Sequence, residues 1–301
     1  TFGVGNGTDA LQIALMALGI GPGDEVIVPA FTYASSAEVV GLLGATAVWC
    51  DVQPGSFNID PASAKLALSA KTKAIIAVHL YGQLADLEAL EKAVGAIPIV
   101  VDTAQAFGAK FTHGKYKGRY AGTVGAFGTL SFFPTKPLGA MGDGGAIISA
   151  NAKLHDRALR IARHGQSKKY VHEIIGVNSR LDPIQAAILG VKFKHFANTL
   201  ERKESLAELY RKELQDMEQL KLPERQLHST HVWHQYTLRI DSKHRNSLKA
   251  YLADHGISSM VYYPIALSDQ QAYAAMIERV PIANSRLLCD EVLSLPMDPS
   301  M

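Results

Sequence analysis

The feature that most constrains the fold is a regular alternation of short apolar runs and helical patterns through the first half of the chain. Four runs rich in apolar and β-branched residues lie at residues 26–28, 46–49, 73–78 and 98–102. Helical patterns lie between them at residues 35–43 and 84–94. Strands that are apolar along their whole length and are separated by helices are typical of parallel sheets covered on both faces. The sequence therefore predicts an α/β fold, with a mainly parallel sheet and helices on both faces.

The second half of the chain predicts a smaller domain of helices and strands. A long helical pattern runs from about residue 182 to 217, with a break near Ala197 as the open alternative, and would carry the chain away from the first sheet. Two strand-like runs and one further helical pattern then follow at residues 237–240, 259–262 and 246–255. We therefore expect a large domain over residues 1–195 and a small C-terminal α/β domain over residues 196–301.

Both ends of the chain are expected to be incomplete. Residues 1–4 resemble the end of a strand, and residues 295–301 stop without a closing helix. We expect that an N-terminal arm of the large domain and the last helix of the small domain are missing from this sequence.

Composition argues against several classes of function. The chain has a formal net charge of +2 and 48% apolar residues. A net charge so close to zero argues against binding to nucleic acid or to an anionic membrane. The two cysteines, Cys50 and Cys289, are too few for a disulfide framework or a zinc site. We therefore expect a cytoplasmic protein in a reducing compartment, with both cysteines buried.

One lysine lies between an apolar run and a glycine-rich segment. Lys136 follows the apolar residues 132–134 and precedes the glycines of residues 139–145. Most lysines are solvated surface residues. A lysine held in such surroundings, however, can lose water and its proton and form a Schiff base with an aldehyde. Ser131, at the start of the same segment, could add a hydroxyl to a phosphate site.

A carboxylate ends one of the predicted strands, at the edge where open α/β sheets collect their ligands. Asp102 at that point could pair with a pyridine nitrogen and keep it protonated, which makes the ring a better electron sink. Gln105 could hydrogen-bond the phenolic oxygen of the same ring, and Tyr33 could stack on its face. Taken alone, Asp102 could equally cap a turn and Tyr33 could be a core residue. Together with Lys136, they indicate a pyridoxal phosphate enzyme.

A glycine-rich turn near the start of the chain is a candidate phosphate site. Gly7 and Thr8 precede a helical pattern that runs to about Leu18. Free N–H groups at such a helix start attract a phosphate, and glycine allows it to approach closely. The glycine spacing does not match the dinucleotide-binding fingerprint. The alternative is a plain capped helix after a turn.

Histidines give no comparable signal. His228, His231 and His234 recur at every third residue beside Trp233. We interpret this segment as a loop that leads into a strand, with a weak possibility of a metal site, and we predict no metal for the enzyme. The sequence also lacks the Gly-x-Ser-x-Gly turn of the serine hydrolases.

The chain resembles the DegT/DnrJ/StrS nucleotide-sugar aminotransferases, a branch of the fold-type I enzymes that depend on pyridoxal phosphate. The resemblance covers essentially all 301 residues. It rests on the segments at residues 6–11, 21–27, 102–106, 131–136, 142–145, 178–182, 185–187 and 293–297. In this order and spacing the segments are highly specific, and they imply the fold-type I architecture.

The resemblance also implies a role for each matching residue. Lys136 would bind the cofactor covalently and Asp102 would face its pyridine nitrogen, so both would be catalytic. The other cofactor contacts within one subunit would come from Gly7, Thr8, Tyr33, Gln105 and Ser131. Asn178 would reach the phosphate from the neighbouring subunit, which implies an obligate homodimer with shared active sites.

For the substrate, the sequence is similar to enzymes that aminate a UDP-2-acetamido-2-deoxy-3-oxo-glucuronate, through residues 162–180. Arg180 could then hold the sugar carboxylate with a bidentate pair of hydrogen bonds. Thr135, Tyr262 and Tyr263 would line the sugar pocket. Tyr262 replaces a histidine of those enzymes, so a 3- or 4-oxo-6-deoxyhexose linked to dTDP or UDP stays open.

The implied reaction moves an amino group from L-glutamate to a nucleotide-linked keto-sugar with pyridoxal 5′-phosphate as cofactor. It would serve amino-sugar synthesis for surface polysaccharides such as O-antigen or capsule, or for related glycoconjugates. Two alternatives stay open: a sugar dehydratase or deoxygenase of the same family, and a non-catalytic regulator that keeps the fold. Family dehydratases carry histidine in place of the lysine, so Lys136 favours transamination.

Overall fold

A seven-stranded sheet forms the centre of the computed structural model, which describes residues 1–301. Its strands are β1 (Phe2–Val4), β2 (Glu25–Pro29), β3 (Thr46–Cys50), β4 (Thr72–Val78), β5 (Ile99–Asp102), β6 (Phe127–Ser131) and β7 (Gly145–Ile148). They lie side by side in the order β1-β7-β6-β5-β4-β2-β3. The pairings among β2 to β6 are parallel, and β7 is antiparallel to both of its neighbours. The prediction of a mainly parallel sheet is confirmed.

Helices cover both faces of this sheet. They are α1 (Gly7–Leu18), α2 (Ser35–Leu42), α3 (Pro61–Ala67), α4 (Leu87–Val94) and α5 (Ala152–Ile161). Because successive side chains on a strand point to opposite faces, Val26 and Val28 pack with α1, α2 and α5, whereas Ile27 packs with α3 and α4. All three side chains are completely buried. Each contributes roughly 1.5–3 kcal/mol through burial, and the two-faced arrangement confirms the predicted layers.

Local sequence explains where most of these helices begin. Side-chain oxygens accept main-chain N–H groups at the first turns of α1, α3, α4 and α5, and they belong to Asn6, Asp60, Asp86 and Asn151. Such caps satisfy N–H groups that have no partner within the helix. The short helix α3 was not predicted, although Asp60 followed by Pro61 is a recognised helix start.

A smaller antiparallel sheet lies in the last third of the chain. A hairpin of β8 (Gln166–Lys168) and β9 (Val171–His172) precedes it, and its own strands are β10 (Leu220–Lys221), β11 (Tyr236–Ile240) and β12 (Val292–Leu295). The remaining helices are α6 (Pro183–Phe193), α7 (Phe196–Leu214), α8 (Ser242–Asp254) and α9 (Ala283–Glu291). None of the nine helices combines the length and apolar character needed to cross a membrane.

Two details of the second half differ from the sequence predictions. The long helix is two helices, α6 and α7, and the break that the sequence left open near Ala197 lies at residues 194–195. The predicted domain boundary falls in this break, and the division into domains stays a prediction. The predicted strand at residues 259–262 is wrong, because only Met260 pairs with a strand, by a bridge to Ser294. The carbonyl of Tyr262 instead accepts a hydrogen bond from the hydroxyl of Tyr81.

Candidate active site

A cavity of about 580 Å³ opens at the carboxyl edge of the parallel sheet. Val78, Asp102 and Ser131, the last residues of β4, β5 and β6, all line it. The cavity brings together the predicted site residues Gly7, Thr8, Tyr33, Asp102, Gln105, Ser131, Thr135, Lys136, Tyr262 and Tyr263. A larger cavity of about 1020 Å³ lies between β10, β11 and α8 and contains none of them. The cavity of about 580 Å³ is therefore the candidate active site, since ligands collect at this edge of open α/β sheets. A cavity of about 690 Å³ shares Thr135, Lys136 and Tyr262 with it.

Lys136 is held by a tight loop that follows β6. The main-chain N–H of Lys136 donates to the carbonyl of Phe133 at 2.9 Å, and that of Ala140 donates to the carbonyl of Phe132 at 2.7 Å. A side chain at Gly139 would lie 2.3 Å from the carbonyl oxygen of Pro134, so the loop closes only around glycine. The apolar run and the glycine that predicted a special lysine are therefore the parts that fold the loop.

Burial shifts the pKa values of the two central groups, Lys136 and Asp102. It lowers the pKa of the Lys136 amine, and the nearby Asp102 carboxylate partly opposes that change. Burial raises the pKa of Asp102, while the N–H of Ala104 and the charge of Lys136 act in the other direction. A lowered pKa gives Lys136 a larger fraction of neutral amine, which is the nucleophilic form.

Asp102 has one carboxylate oxygen without a protein partner. Its Oδ1 accepts the N–H of Ala104 at 2.9 Å, whereas no protein donor reaches Oδ2. The side chain is only 6% exposed and faces the cavity. A carboxylate oxygen that faces a cavity without a protein donor is available to a hydrogen-bond donor of a ligand. A protonated ring nitrogen is such a donor.

The first turn of α1 forms a cup for an anion. Asn6 Oδ1 accepts the N–H of Asp9 at 2.8 Å, but the N–H groups of Gly7 and Thr8 have no protein acceptor. A side chain at Gly7 would lie 2.7 Å from Cβ of Ser131, so glycine lets the helix start approach the end of β6. Free N–H groups at a helix start, with two hydroxyls beside them, suit a phosphate.

Aromatic and amide groups complete the cavity. Gln105 Oε1 accepts the N–H of Tyr81 at 2.7 Å, and Gln105 Nε2 donates to the hydroxyl of Tyr263 at 3.2 Å. Tyr33 is 56% exposed, and its ring centre lies 6.3 Å from that of Tyr263. With the free oxygen of Asp102 and the phosphate cup, these residues fit pyridoxal 5′-phosphate, and Lys136 is the only lysine that lines the cavity.

Two predicted site residues do not line this cavity. Asn178 and Arg180 are exposed, and Arg180 Nη2 donates to Asn178 Oδ1 at 2.6 Å. Between them, the buried Ser179 donates to Asp9 Oδ2 at 2.5 Å and accepts the N–H of Gly5 at 2.8 Å. Ser179 therefore fastens the loop behind the phosphate cup, while Asn178 and Arg180 stay on the surface and bond to each other.

Sequence reasoning missed several residues that line the cavity. They are Asn6, Asp9, Leu11, Ser35, Val78, Tyr81, Ala104, Phe133, Asp143, His234 and Gln235. His234 belongs to the three spaced histidines, but burial and the nearby Lys136 hold its pKa well below the usual value. Tyr81 follows the carboxyl end of β4, and that position was the only signal for it in the sequence.

Comparison with known proteins gives consistent results. The DegT/DnrJ/EryC1/StrS aminotransferase family matches residues 1–301. The chain is 44% identical to the pleiotropic regulatory protein of Geobacillus stearothermophilus, over 99% of this chain and 80% of that protein. It is 43% identical to the UDP-2-acetamido-2-deoxy-3-oxo-D-glucuronate aminotransferase of Pseudomonas aeruginosa, over 98% and 80%. The crystal structure of DesV from S. venezuelae matches with a TM-score of 0.93 and 37% identity, over 99% of this chain and 79% of that one. Other similar solved structures contain pyridoxamine phosphate or pyridoxal phosphate.

Proposed function

The chain belongs to the DegT/DnrJ/EryC1/StrS aminotransferase family, and from that premise we propose that it moves an amino group from L-glutamate to a nucleotide-linked keto-sugar. The prediction of an aminotransferase that depends on pyridoxal phosphate is confirmed by the family and by the cofactor of similar solved structures. One observation carries the fuller proposal: Lys136, Asp102 and the free N–H groups of α1 meet in one cavity.

The chain supplies the groups that such a reaction needs. When bound, pyridoxal phosphate supplies an aldehyde that can take up an amino group and a ring that can accept electrons. Asp102 Oδ2 would accept a hydrogen bond from the protonated pyridine nitrogen and so keep that nitrogen charged. Lys136 would bind the aldehyde carbon covalently and, once displaced by an amino substrate, would hold and return a proton at Nζ. Its lowered pKa favours the neutral amine for both tasks.

The phosphate end would be held mainly by main-chain groups. The N–H groups of Gly7 and Thr8 and the hydroxyls of Thr8 and Ser131 surround one end of the cavity. Tyr33 and Gln105 would fix the ring between this cup and Lys136. Charge-assisted hydrogen bonds of this kind are about twice as strong as neutral ones, so they would fix the orientation of the cofactor.

We assign the sugar ring to Thr135, Tyr262 and Tyr263, because these three residues line the same cavity as Lys136. Several relatives are named for amination of a sugar at carbon 3. We therefore propose a nucleotide-linked 3-oxo-sugar. Arg180 favours one with a carboxylate, as in the name of the P. aeruginosa relative. The tyrosine at position 262, where those enzymes were expected to carry histidine, keeps a 6-deoxyhexose as the second choice.

We also propose a homodimer, because α6 turns an apolar stripe outward. Ile184, Ala187, Ile188 and Val191 recur at the spacing of one helix face, and Ile184 and Val191 are 73% and 61% exposed. Leu189 is the one buried residue of this helix. Apolar stripes of this kind normally pack against a partner.

A second copy of this chain is the partner that fits the stripe. Asn178 and Arg180 are exposed directly before α6, and Met141 beside Gln185 of α6 is 74% exposed. The loop that carries Met141 also contributes Asp143 to the cavity. The stripe is therefore continuous with the rim of the site, and a second copy placed there would bring its own Asn178 close to the phosphate cup.

We propose that the reaction takes place in the cytoplasm and supplies amino sugars for surface polysaccharides. Cys50 and Cys289 are both free and buried, which suits a reducing compartment. Cell fractionation and analysis of the polysaccharide sugars in a deletion strain would test both parts. Unchanged polysaccharide sugars would contradict the pathway while leaving the enzyme assignment in place.

The experiment that tests the proposed reaction separates its two halves. The protein loaded with pyridoxal 5′-phosphate should convert L-glutamate to 2-oxoglutarate once per site and stop. Addition of a nucleotide-linked 3-oxo-sugar should then restore turnover and give an amino sugar. Turnover that releases ammonia or water without 2-oxoglutarate would support a dehydratase. Cofactor binding without either half-reaction would support a regulator, as in the name of the G. stearothermophilus relative.

A panel of sugars would then identify the substrate. It should contain a UDP-linked 3-oxo-glucuronate, the corresponding UDP-linked 3-oxo-glucosamine and a dTDP-linked 3-oxo-6-deoxyhexose. We expect the uronate to have the lowest KM, and we expect Arg180→Lys to raise that KM about tenfold while leaving the KM values of the neutral sugars unchanged. Equal effects on all three sugars would remove Arg180 from carboxylate recognition.

A further inference from the structure

We propose that Tyr81 is a positioning residue that holds Gln105 and the Tyr262–Tyr263 pair in place on two sides of the cavity. Tyr81 lines the cavity, is 2% exposed and lies three residues after the end of β4. For the substrate side, this inference rests on the proposed function. For the cofactor side, it needs only the fit of pyridoxal phosphate to the cavity.

The main chain of Tyr81 fixes the orientation of the Gln105 amide. Its N–H donates to Gln105 Oε1 at 2.7 Å, so Oε1 must be the acceptor and Nε2 must lie on the other side. Nε2 then donates one hydrogen to the hydroxyl of Tyr263 at 3.2 Å. Its second hydrogen stays available in the cavity for an oxygen of a ligand. The N–H of Tyr81 therefore decides that Gln105 presents a donor.

The side chain of Tyr81 fixes the other side of the cavity. Its hydroxyl donates to the main-chain carbonyl of Tyr262. Burial raises the pKa of this phenol well above its usual value, so it stays protonated and remains a donor. Tyr263 follows Tyr262 in the chain and accepts a hydrogen bond from Gln105. Tyr81 therefore restrains both ends of a short hydrogen-bond network that would border the cofactor and the sugar.

The backbone conformation of Tyr81 also indicates that this hydrogen-bond network has a role in function. Its φ of 57° lies in the left-handed region, which residues other than glycine seldom adopt. Neighbouring main chain holds the turn, because the carbonyl of Tyr81 accepts the N–H of Gln235 at 3.3 Å and that of Gly82 accepts the N–H of Val232 at 2.9 Å. Unfavourable backbone of this kind persists where surrounding contacts enforce it, and it is concentrated at functional sites.

Replacing Tyr81 with phenylalanine should affect the substrate side of the cavity and leave the cofactor side unchanged. Tyr81→Phe keeps the ring and the main-chain N–H, so the Kd for pyridoxal 5′-phosphate and its absorption band should change less than about twofold. It removes the donor to the Tyr262 carbonyl, so the KM for the keto-sugar should rise about fivefold to tenfold, with kcat changed less than twofold. Amide hydrogen exchange in the peptide 258–265 should become about tenfold faster for the same reason.

Tyr210→Phe is the matched control. The Tyr210 hydroxyl also donates to a main-chain carbonyl, that of Pro296 at 3.0 Å, but Tyr210 does not line the cavity. Tyr210→Phe should leave both the KM for the keto-sugar and amide hydrogen exchange in the peptide 258–265 unchanged. If Tyr81→Phe behaves like this control, the proposal is overturned. If the wild-type protein aminates no keto-sugar, the proposed function fails instead, and the exchange and cofactor data still decide the role of Tyr81.

A second variant tests the Gln105 side if Tyr81→Phe does not fold. Tyr263→Phe removes the acceptor of Gln105 Nε2 but leaves the bond between Tyr81 and Tyr262. The Kd for pyridoxal 5′-phosphate should rise about threefold to tenfold, and exchange in the peptide 258–265 should stay as in the wild type. An unchanged Kd would overturn the inference that the network positions Gln105.

Discussion

The cavity and the outer stripe of α6 are incomplete in opposite ways. In the cavity, polar groups lack protein partners: Asp102 Oδ2 has no donor, and the N–H groups of Gly7 and Thr8 have no acceptor. On α6, apolar side chains such as Ile184 and Val191 are exposed without a partner. The polar groups of the cavity can hydrogen-bond a ligand, and the apolar stripe can pack against a partner. The first calls for a charged ligand and the second for another apolar surface, so different molecules complete the two regions.

The largest effect is expected from a variant that disrupts the cavity and leaves the apolar stripe of α6 intact. Lys136→Ala should lower kcat at least about a thousandfold and abolish the absorption band of lysine-bound cofactor, because no other lysine lines the cavity. Spectroscopy and the glutamate half-reaction measure these effects. Lys203→Met is the matched control, since Lys203 is also a buried lysine with a lowered pKa but does not line this cavity. Normal turnover by Lys136→Ala would refute its assignment.

The next largest effect is expected from a variant that disrupts the apolar stripe of α6 and leaves the cavity intact. Ile184→Glu places a charge in the proposed interface, so the Kd of the dimer should rise at least about a hundredfold. Sedimentation velocity over a range of protein concentrations measures it. The same change at Leu209, which is 53% exposed on α7 and outside the stripe, should leave the dimer intact. Equal behaviour of the two variants would remove α6 from the interface.

A mixing experiment joins the two regions. Asn178→Asp puts a negative charge where we expect contact with the phosphate of the partner subunit, so cofactor affinity should fall about tenfold to a hundredfold. Dimers exchanged between this variant and Lys136→Ala would pair an intact Lys136 with an intact Asn178 at one site. Random exchange should therefore recover about a quarter of the wild-type activity. No recovery would indicate that Asn178 does not serve the partner's site.

The smallest effect concerns how the buried region responds to acid. His79 is completely buried beside Phe111, and burial lowers its pKa from 6.5 to about 3. Its Nδ1 accepts the N–H of Ala85 at 3.0 Å, so protonation there would break a hydrogen bond. Between about pH 6.5 and 3 the unfolded chain binds one proton more at this residue, so stability falls as the pH falls.

Replacing His79 tests that account. His79→Asn keeps an acceptor for Ala85 and should cost roughly 1–2 kcal/mol at pH 7, because a smaller side chain leaves a cavity. It should also make the free energy of unfolding less dependent on pH below about 6.5. Urea titrations at several pH values measure both effects, with the exposed His244→Asn as control. A slope equal to that of the wild type would mean that other groups control acid unfolding.

Much of the fold could be predicted because local patterns carry it. The strands β2 to β5 are apolar runs, and the sequence predicted the end of β5 at Asp102. By contrast, α9 went unrecognised because its N-terminus is capped from far away. Asp51, more than 230 residues earlier, accepts the N–H groups of Asn284 and Ser285. No local sequence signal marks such a start.

The residues of the candidate site also fall into those that local sequence predicted and those that depend on distant contacts. The types and spacing of Lys136, Asp102 and Gly7 indicated their chemistry, because each follows a strand or begins a helix at the ligand-binding edge. Tyr81 was missed because the role proposed for it depends on a left-handed turn and on contacts with residues 24 and 181 positions away. Contacts between distant residues have no period in the sequence.

The sequence by itself therefore determined the layered α/β architecture, the family, the cofactor and which side chains could react. Periodicity and residue chemistry are local properties, so they are visible in the sequence alone. Only the tertiary structure decided that ten of the predicted site residues share one cavity, that Asn178 and Arg180 lie outside it, and that the apolar stripe of α6 faces outward. These outcomes depend on how distant elements pack, because burial is a property of the assembled molecule rather than of any segment.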